Sequence, residues 1–147
     1  MFEIEITAAS NEGMSAHAVG TFPNECCGFF FGTSKNDRKL VTEIRPVLNV
    51  KKGDQRRKFS IDPFDYMKAE KYAHENQLEL LGIYHSHPLH PANPSEHDLK
   101  QAMPFFSYII LSTQPQLVIN ITSWQLNENR DFIREELKIS EPTNKYL

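Results

Sequence analysis

Leu80-Leu81-Gly82-Ile83-Tyr84-His85-Ser86-His87-Pro88, the loop Leu89-His90-Pro91-Ala92-Asn93-Pro94, and then Ser95-Glu96-His97-Asp98-Leu99-Lys100-Gln101-Ala102-Met103 form the stretch on which the reading of this chain turns. The run from Leu80 to His85 is apolar and too short for a helix of its own, so it reads as a central strand terminated by Pro88. Ser95 to Met103 reads as a short helix stopped by Pro104. A buried strand feeding a short helix through a proline-rich loop belongs in a sheet flanked by helices.

Working back towards the N-terminus, the same pattern returns. Cys26-Cys27-Gly28-Phe29-Phe30-Phe31-Gly32 is continuously apolar, as expected of a strand buried on both faces, and Glu25 stands at its mouth. Residues 2 to 6 alternate apolar and acidic, the period of a half-buried strand. A helix is expected over about Asn11 to Gly20, ended by Gly20 and Pro23. Strands near 40 to 50 and 57 to 61 flank a basic loop and suggest a hairpin. Asp62-Pro63 supplies an N-cap and a first-position proline for a helix running to about Asn76.

Towards the C-terminus, Tyr108 to Leu111, Leu117 to Gln125 and Phe132 to Leu137 read as three more strands, with turns at Thr113 to Gln116 and Asn127 to Arg130. The sum is an α/β fold, a mixed β-sheet with flanking helices. No linker-like stretch divides residues 1–147, so one domain is expected.

The chain has 147 residues, enough to bury roughly two-thirds of its unfolded surface around a core. Hydrophobic residues make up 39% and charged residues 24%, a globular composition. The net charge of -3 excludes the strong basic excess of a dedicated nucleic-acid binder. Lys51, Lys52, Arg56, Arg57 and Lys58 form the only dense basic run, read as a solvated loop or else as a docking patch for an acidic partner. No secretory signal and no apolar stretch of about 20 residues is visible, so the cytoplasm is expected and no membrane partner. The adjacent Cys26 and Cys27 cannot close an ordinary disulfide loop and lack Cys-x-x-Cys spacing. They read as packing residues, with a nucleophilic thiol beside Glu25 as the alternative.

In His85-Ser86-His87 one residue separates two imidazoles, so on an extended strand both leave the same face. Two neutral imidazoles are half of a tetrahedral zinc site. Asp98, on the first turn of the following helix, can supply a third ligand once the loop folds that helix over the strand end. Three protein ligands leave a fourth position for water, the mark of a catalytic rather than a structural site. Glu25 is then the candidate general base, and Ser95 can donate to an oxyanion. Ser95-Glu96-His97-Asp98 is also a capping box, which by itself would explain both residues. His90 and His97 are assigned to the loop and helix surface near a substrate groove. His17 and His74 receive no role.

Together, Glu25, His85-Ser86-His87, Ser95 and Asp98 resemble the pattern of the JAMM, or MPN-plus, metalloproteases (the Mov34/PAD-1 group): a glutamate, then His-Ser-His-x7-Ser-x2-Asp. Pro23-Asn24-Glu25-Cys26-Cys27-Gly28 is similar to the Pro-x-Glu-x-Cys-Gly of that family, and Gly82 to Pro88 with Pro94-Ser95 to its second block. The resemblance implies a fold similar to cytidine deaminase, one catalytic Zn2+ held by His85, His87 and Asp98, Glu25 as general base and Ser95 as oxyanion helper. It further implies hydrolysis of a peptide or isopeptide bond after the C-terminal Gly-Gly of a ubiquitin-like or sulfur-carrier protein, as in the short prokaryotic single-domain members. The long ubiquitin-contacting insertions of the larger eukaryotic enzymes are missing.

Two other readings use the same residues. Two histidines and one carboxylate also make the facial triad of non-haem iron enzymes, although Glu25 and Ser95 favour hydrolysis. A non-catalytic zinc-containing interaction module would keep the site for structure alone. A homodimer is compatible with the sequence.

Overall fold

The computed structural model describes residues 2–141. Eleven elements follow one another: β1 (Glu3–Ile6), α1 (Ala8–Thr21), β2 (Cys27–Lys35), β3 (Arg38–Val47), α2 (Pro63–Glu75), β4 (Glu79–Pro88), α3 (Glu96–Gln101), β5 (Ser107–Gln114), β6 (Leu117–Leu126), β7 (Phe132–Arg134) and β8 (Glu136–Ile139). All eight strands form one mixed sheet in the order β7-β6-β5-β4-β2-β3-β1-β8. The pairs β4/β5, β1/β3 and β1/β8 are parallel and the others antiparallel.

β4 lies at the middle of this order because both of its faces and both of its edges are used. It pairs antiparallel with β2 and parallel with β5, and Leu81 to Pro88 are buried throughout. Its neighbour β2 is buried from Cys27 to Gly32, as its unbroken apolar run requires. The adjacent cysteines serve opposite faces. Cys26 joins the core beneath α1 with Met14, Ala18, Phe30 and Tyr84. Cys27 joins the core beneath α2 with Phe29, Phe31, Ala69 and Ala73. Both thiols are free and fully buried, and burial pushes each up to about 12, which removes the nucleophilic alternative.

The helices start where side chains satisfy their free amides. Thr7 caps α1 through Ser10 N, so the helix begins at Ala8, ahead of the expected Asn11. Asp62 caps α2 with Pro63 in the first turn, as expected. α3 is shorter than its expected span, ending at Gln101.

Two strand expectations are corrected. Residues 57 to 61 form no strand and no hairpin with β3: β3 ends at Val47, and beyond it only one backbone bond, Val50 N to Ser60 O at 2.9 Å, links the two arms. Segment 48–60 is instead a loop gathered around the Asn49 side chain. Its Oδ1 accepts from Lys51 N and Ser60 N, and its Nδ2 donates to the carbonyls of Glu25 and Lys58. The second correction concerns Phe132 to Leu137, expected as one strand. The chain breaks at Glu135, so that β7 pairs with β6 and β8 pairs with β1 at the opposite edge. Glu135 N donates to Ser123 O and Glu136 N to Phe2 O, so the curled sheet brings its two edges within one residue of each other.

Candidate metal centre

Along β4 the side chains alternate, so His85 and His87 leave the α2 and α3 face while Ser86 points the other way. Ser86 Oγ accepts from Cys26 N at 2.8 Å and Ser86 N donates to Cys26 O at 3.2 Å, which pins the mouth of β2 against the histidine pair. Since Cys27 sits opposite His85, continuation of the antiparallel register carries Glu25 opposite His87. Glu25 is held on both sides of its own backbone: its N–H donates to Gln55 O at 2.7 Å, and its carbonyl accepts from Asn49 Nδ2 at 3.1 Å.

The loop after β4 returns α3 over the strand end. Asp98 Oδ2 lies 3.2 Å from both His85 Nε2 and His87 Nε2, which are themselves 3.2 Å apart. Ser95 N donates to that same oxygen at 2.8 Å, and Asp98 N donates to Ser95 Oγ at 3.1 Å. The capping box and the convergence on the histidines are therefore one arrangement, not alternatives.

Each imidazole is oriented from behind. His87 Nδ1 lies 3.0 Å from Pro91 O; a carbonyl only accepts, so Nδ1 carries the hydrogen and Nε2 keeps its lone pair for the centre. His85 is packed by Phe59, whose ring stacks on it at 4.6 Å and 27°. The Phe59 carbonyl is held in turn by His97 Nε2 at 3.0 Å. His97 is thus a brace behind the site, while His90 lines the cleft in front of it.

These residues fit a metal ion. A tetrahedral ion with bonds of about 2.0–2.1 Å separates its ligand atoms by about 3.4 Å, close to the triangle formed by His85, His87 and Asp98. Glu25 is the next carboxylate, with an oxygen within 4.8 Å of both histidine nitrogens. Glu25, His85 and His87 by themselves also form a group that could hold an ion. The 3.2 Å contacts put Asp98 Oδ2 against both histidine nitrogens, with Glu25 beside that triangle. Glu25 is 4% exposed, and its Oε1 is buried without a partner. Burial, with help from Asp98 and Asp54, pushes its carboxyl up to about 9. Burial works in the same direction on Asp98, but His85, His87 and the Ser95 amide overcome it and hold that carboxyl far below the usual range. Burial disfavours charging of His87, yet Asp98 and the Pro91 carbonyl raise it. Two buried acids and a partnerless carboxyl oxygen beside converging lone pairs are the charge pattern that a cation balances.

In front of the triangle, Glu25, His87, Ser95, His90, Asn93 and Arg57 line a cleft of about 380 Å³. A larger cavity of about 550 Å³ lies at the far end of β2, against β1 and β8, but no histidine or cysteine lines it.

All five expected site residues, Glu25, His85, His87, Ser95 and Asp98, thus meet at one end of β4. The sequence pattern did not reveal Phe59, Asn49 or the Tyr84 hydroxyl that pairs with His17 Nδ1 at 2.8 Å, since these contacts join residues far apart in the chain. It also missed that the basic loop is a wall of the site. A clue was available there, because the loop runs directly into Phe59 and the start of α2.

Residues 7–127 match the family described as prokaryotic homologs of the JAB domain. The chain is 35% identical over 102 residues to the probable TtuB-protein conjugate cleaving protease of Thermus thermophilus, covering 69% of this chain and 65% of that protein. It is 42% identical over 77 residues to the desampylase of Pyrococcus furiosus, covering 52% of this chain and 50% of the relative. The matches thus span between half and two-thirds of these relatives' own lengths. A solution structure of a protein from Desulfitobacterium hafniense superposes with a TM-score of 0.83 at 33% identity, over 95% of this chain and 94% of the other.

Proposed function

Because this chain belongs to the prokaryotic homologs of the JAB domain, we propose that it is a zinc-dependent peptidase or isopeptidase cutting after the C-terminal Gly-Gly of a ubiquitin-like or sulfur-carrier protein. The observation that carries the reading is the 3.2 Å triangle of His85, His87 and Asp98 with Glu25 beside it. His85, His87 and Asp98 are the residues that would hold one zinc ion, which when bound supplies a Lewis acid for water and for the scissile carbonyl.

The chain's own groups complete the chemistry. Glu25 takes a proton from the attacking water and returns it to the leaving amine; its unpartnered Oε1 is free for that exchange. Ser95 keeps its hydroxyl hydrogen while its oxygen caps α3, so it can donate to the developing oxyanion. The relatives named as a conjugate-cleaving protease and a desampylase support protein conjugates as the substrate class. Two free thiols suit a reducing compartment such as the cytoplasm. No helix among the described residues is long and apolar enough to cross a membrane. One domain over residues 1–147 is the unit proposed to act.

The test uses a carrier protein extended beyond Gly-Gly. Wild-type protein should cleave the extension, and Glu25→Gln should keep its metal while losing about 10²- to 10⁴-fold in rate. Unchanged turnover by the variant would remove Glu25 from its role.

A further inference from the structure

Glu25 also borders a second groove, of about 250 Å³, which Asn24, Leu48, Asn49 and His17 line with it. A wider groove of about 510 Å³ adjoins it, since His17, Val47 and Leu48 line both, and reaches Arg45, Asp65 and Lys68. His17 of α1 therefore stands where the two meet, although the site motif gives it no part.

Its imidazole is held from below by a built contact. Gly28 of β2 stands opposite Tyr84 of β4, and a Cβ there would lie 2.5 Å from the Tyr84 ring. The missing side chain lets that ring pass over β2 to α1, where its hydroxyl meets His17 Nδ1 at 2.8 Å and the two rings pack edge to face at 5.8 Å. Tyr84 is fully buried, and His17 is the only hydrogen-bond partner of its hydroxyl among the described residues. Burial pushes the phenol up and the imidazole down, so both are neutral at pH 7. Were Nδ1 to carry the hydrogen, the phenolic hydrogen would be left in the core without an acceptor. The satisfied arrangement has Tyr84 donating to Nδ1, which puts the imidazole hydrogen on Nε2. Nε2 lies across the ring from Nδ1, has no partner in the protein and is not among the enclosed unpartnered atoms, so it is open to the grooves.

Resting on the hydrolase reading above, we infer that His17 is a substrate-binding residue, whose Nε2–H donates to a backbone carbonyl of the carrier's tail as that tail lies along the groove to Glu25. The chemistry suits the placement. A tail ending in two glycines offers no side chains there, so its carbonyls are what a protein can hold in register, and a carbonyl takes a neutral N–H donor. A donor fixed by Tyr84 loses little freedom when the tail arrives, and the adjoining grooves give an extended chain a continuous path. Tyr84 neighbours His85 in β4, so one strand carries both a metal-site imidazole and the hydroxyl that orients His17.

Tautomer and binding are measured separately. In a long-range proton–nitrogen NMR spectrum of zinc-loaded wild-type protein, His17 should show Nε2 protonated and Nδ1 bare; the reverse would overturn the inference. Zinc-loaded Glu25→Gln protein, chosen so that turnover does not intervene, is then titrated with acetyl-Ala-Gly-Gly-methylamide and followed by amide NMR. A glutamine at His17 places its amide N–H near the position of Nε2, whereas an asparagine reaches only the position of Nδ1, where its oxygen still accepts from Tyr84. Adding His17→Gln should leave peptide binding within about twofold, and adding His17→Asn should weaken it about 3- to 10-fold with the spectrum unchanged away from the groove. Equal binding by all three proteins, a glutamine variant as weak as the asparagine one, or no binding by the parent would overturn the inference. If binding follows the Nε2 donor but wild-type protein hydrolyses no Gly-Gly extension, the tail groove stands and the hydrolase reading fails. If hydrolysis occurs and His17→Asn leaves its KM unchanged, the hydrolase reading stands and His17 has no part in binding.

Discussion

Asp98 does two things through one oxygen. Its Oδ2 takes the Ser95 amide that starts α3 and also faces both histidine nitrogens. The cap orients the carboxylate by itself, so an ion held there as proposed would find little side-chain ordering left to cost. Glu25 is built for the opposite purpose. Its buried carboxyl rises to about 9 in the folded protein, against 4.5 for the free group. Between those values the folded state keeps a proton that the unfolded state has lost. The stability from this group is complete below about 4.5 and is lost as pH rises towards about 9. Glutamine has no such proton to lose. Metal-free Glu25→Gln should therefore gain about 1–3 kcal/mol on metal-free wild type between about pH 5.5 and pH 8, read from urea denaturation at each pH. A gap independent of pH would mean that Glu25 ionises normally.

At the scale of elements, the centre depends on how closely β4 is packed. A Cβ on Gly82 would sit 1.8 Å from Ser107 O of β5 and 2.7 Å from the Phe30 ring of β2. Gly82→Ala must push β4 from both neighbours and should cost about 2–3 kcal/mol, seen as a lower urea midpoint. A variant as stable as wild type would show that this contact relaxes freely. The elements next to β4 were legible in the sequence because each carries a local signal. The apolar runs of β2 and β4, the Asp62-Pro63 start of α2 and the capping box of α3 depend on residues within a few positions of one another. What was not legible depends on distant partners. Nothing local to residues 57–61 tells that Asn49 will gather the segment into a loop through Glu25, Lys51, Lys58 and Ser60. Likewise Phe132 to Leu137 reads as one strand until the curling sheet brings Ser123 and Phe2 to either side of Glu135. The site residues were readable as a set of types and spacings, whereas the Phe59 stack on His85 and the Asn49 brace on Glu25 arise only on folding.

For the whole molecule, two apolar cores on opposite faces of one eight-stranded sheet hold the fold without help from the centre. The triangle joins only β4 to α3, a helix of six residues. Chelation should therefore leave the far-UV circular dichroism of a folded sheet and lower the Tm by several degrees, with local loosening around α3. Global unfolding on chelation would instead make the ion structural. The central claim is that His85, His87 and Asp98 hold the ion while Glu25 works beside it, and metal content measures this directly. Wild type and Glu25→Gln should each carry about one ion per chain, and His85→Ala, His87→Ala and Asp98→Ala should each lose it. Metal retained by Asp98→Ala and lost by Glu25→Gln would contradict the account, because Glu25 would then be the third ligand.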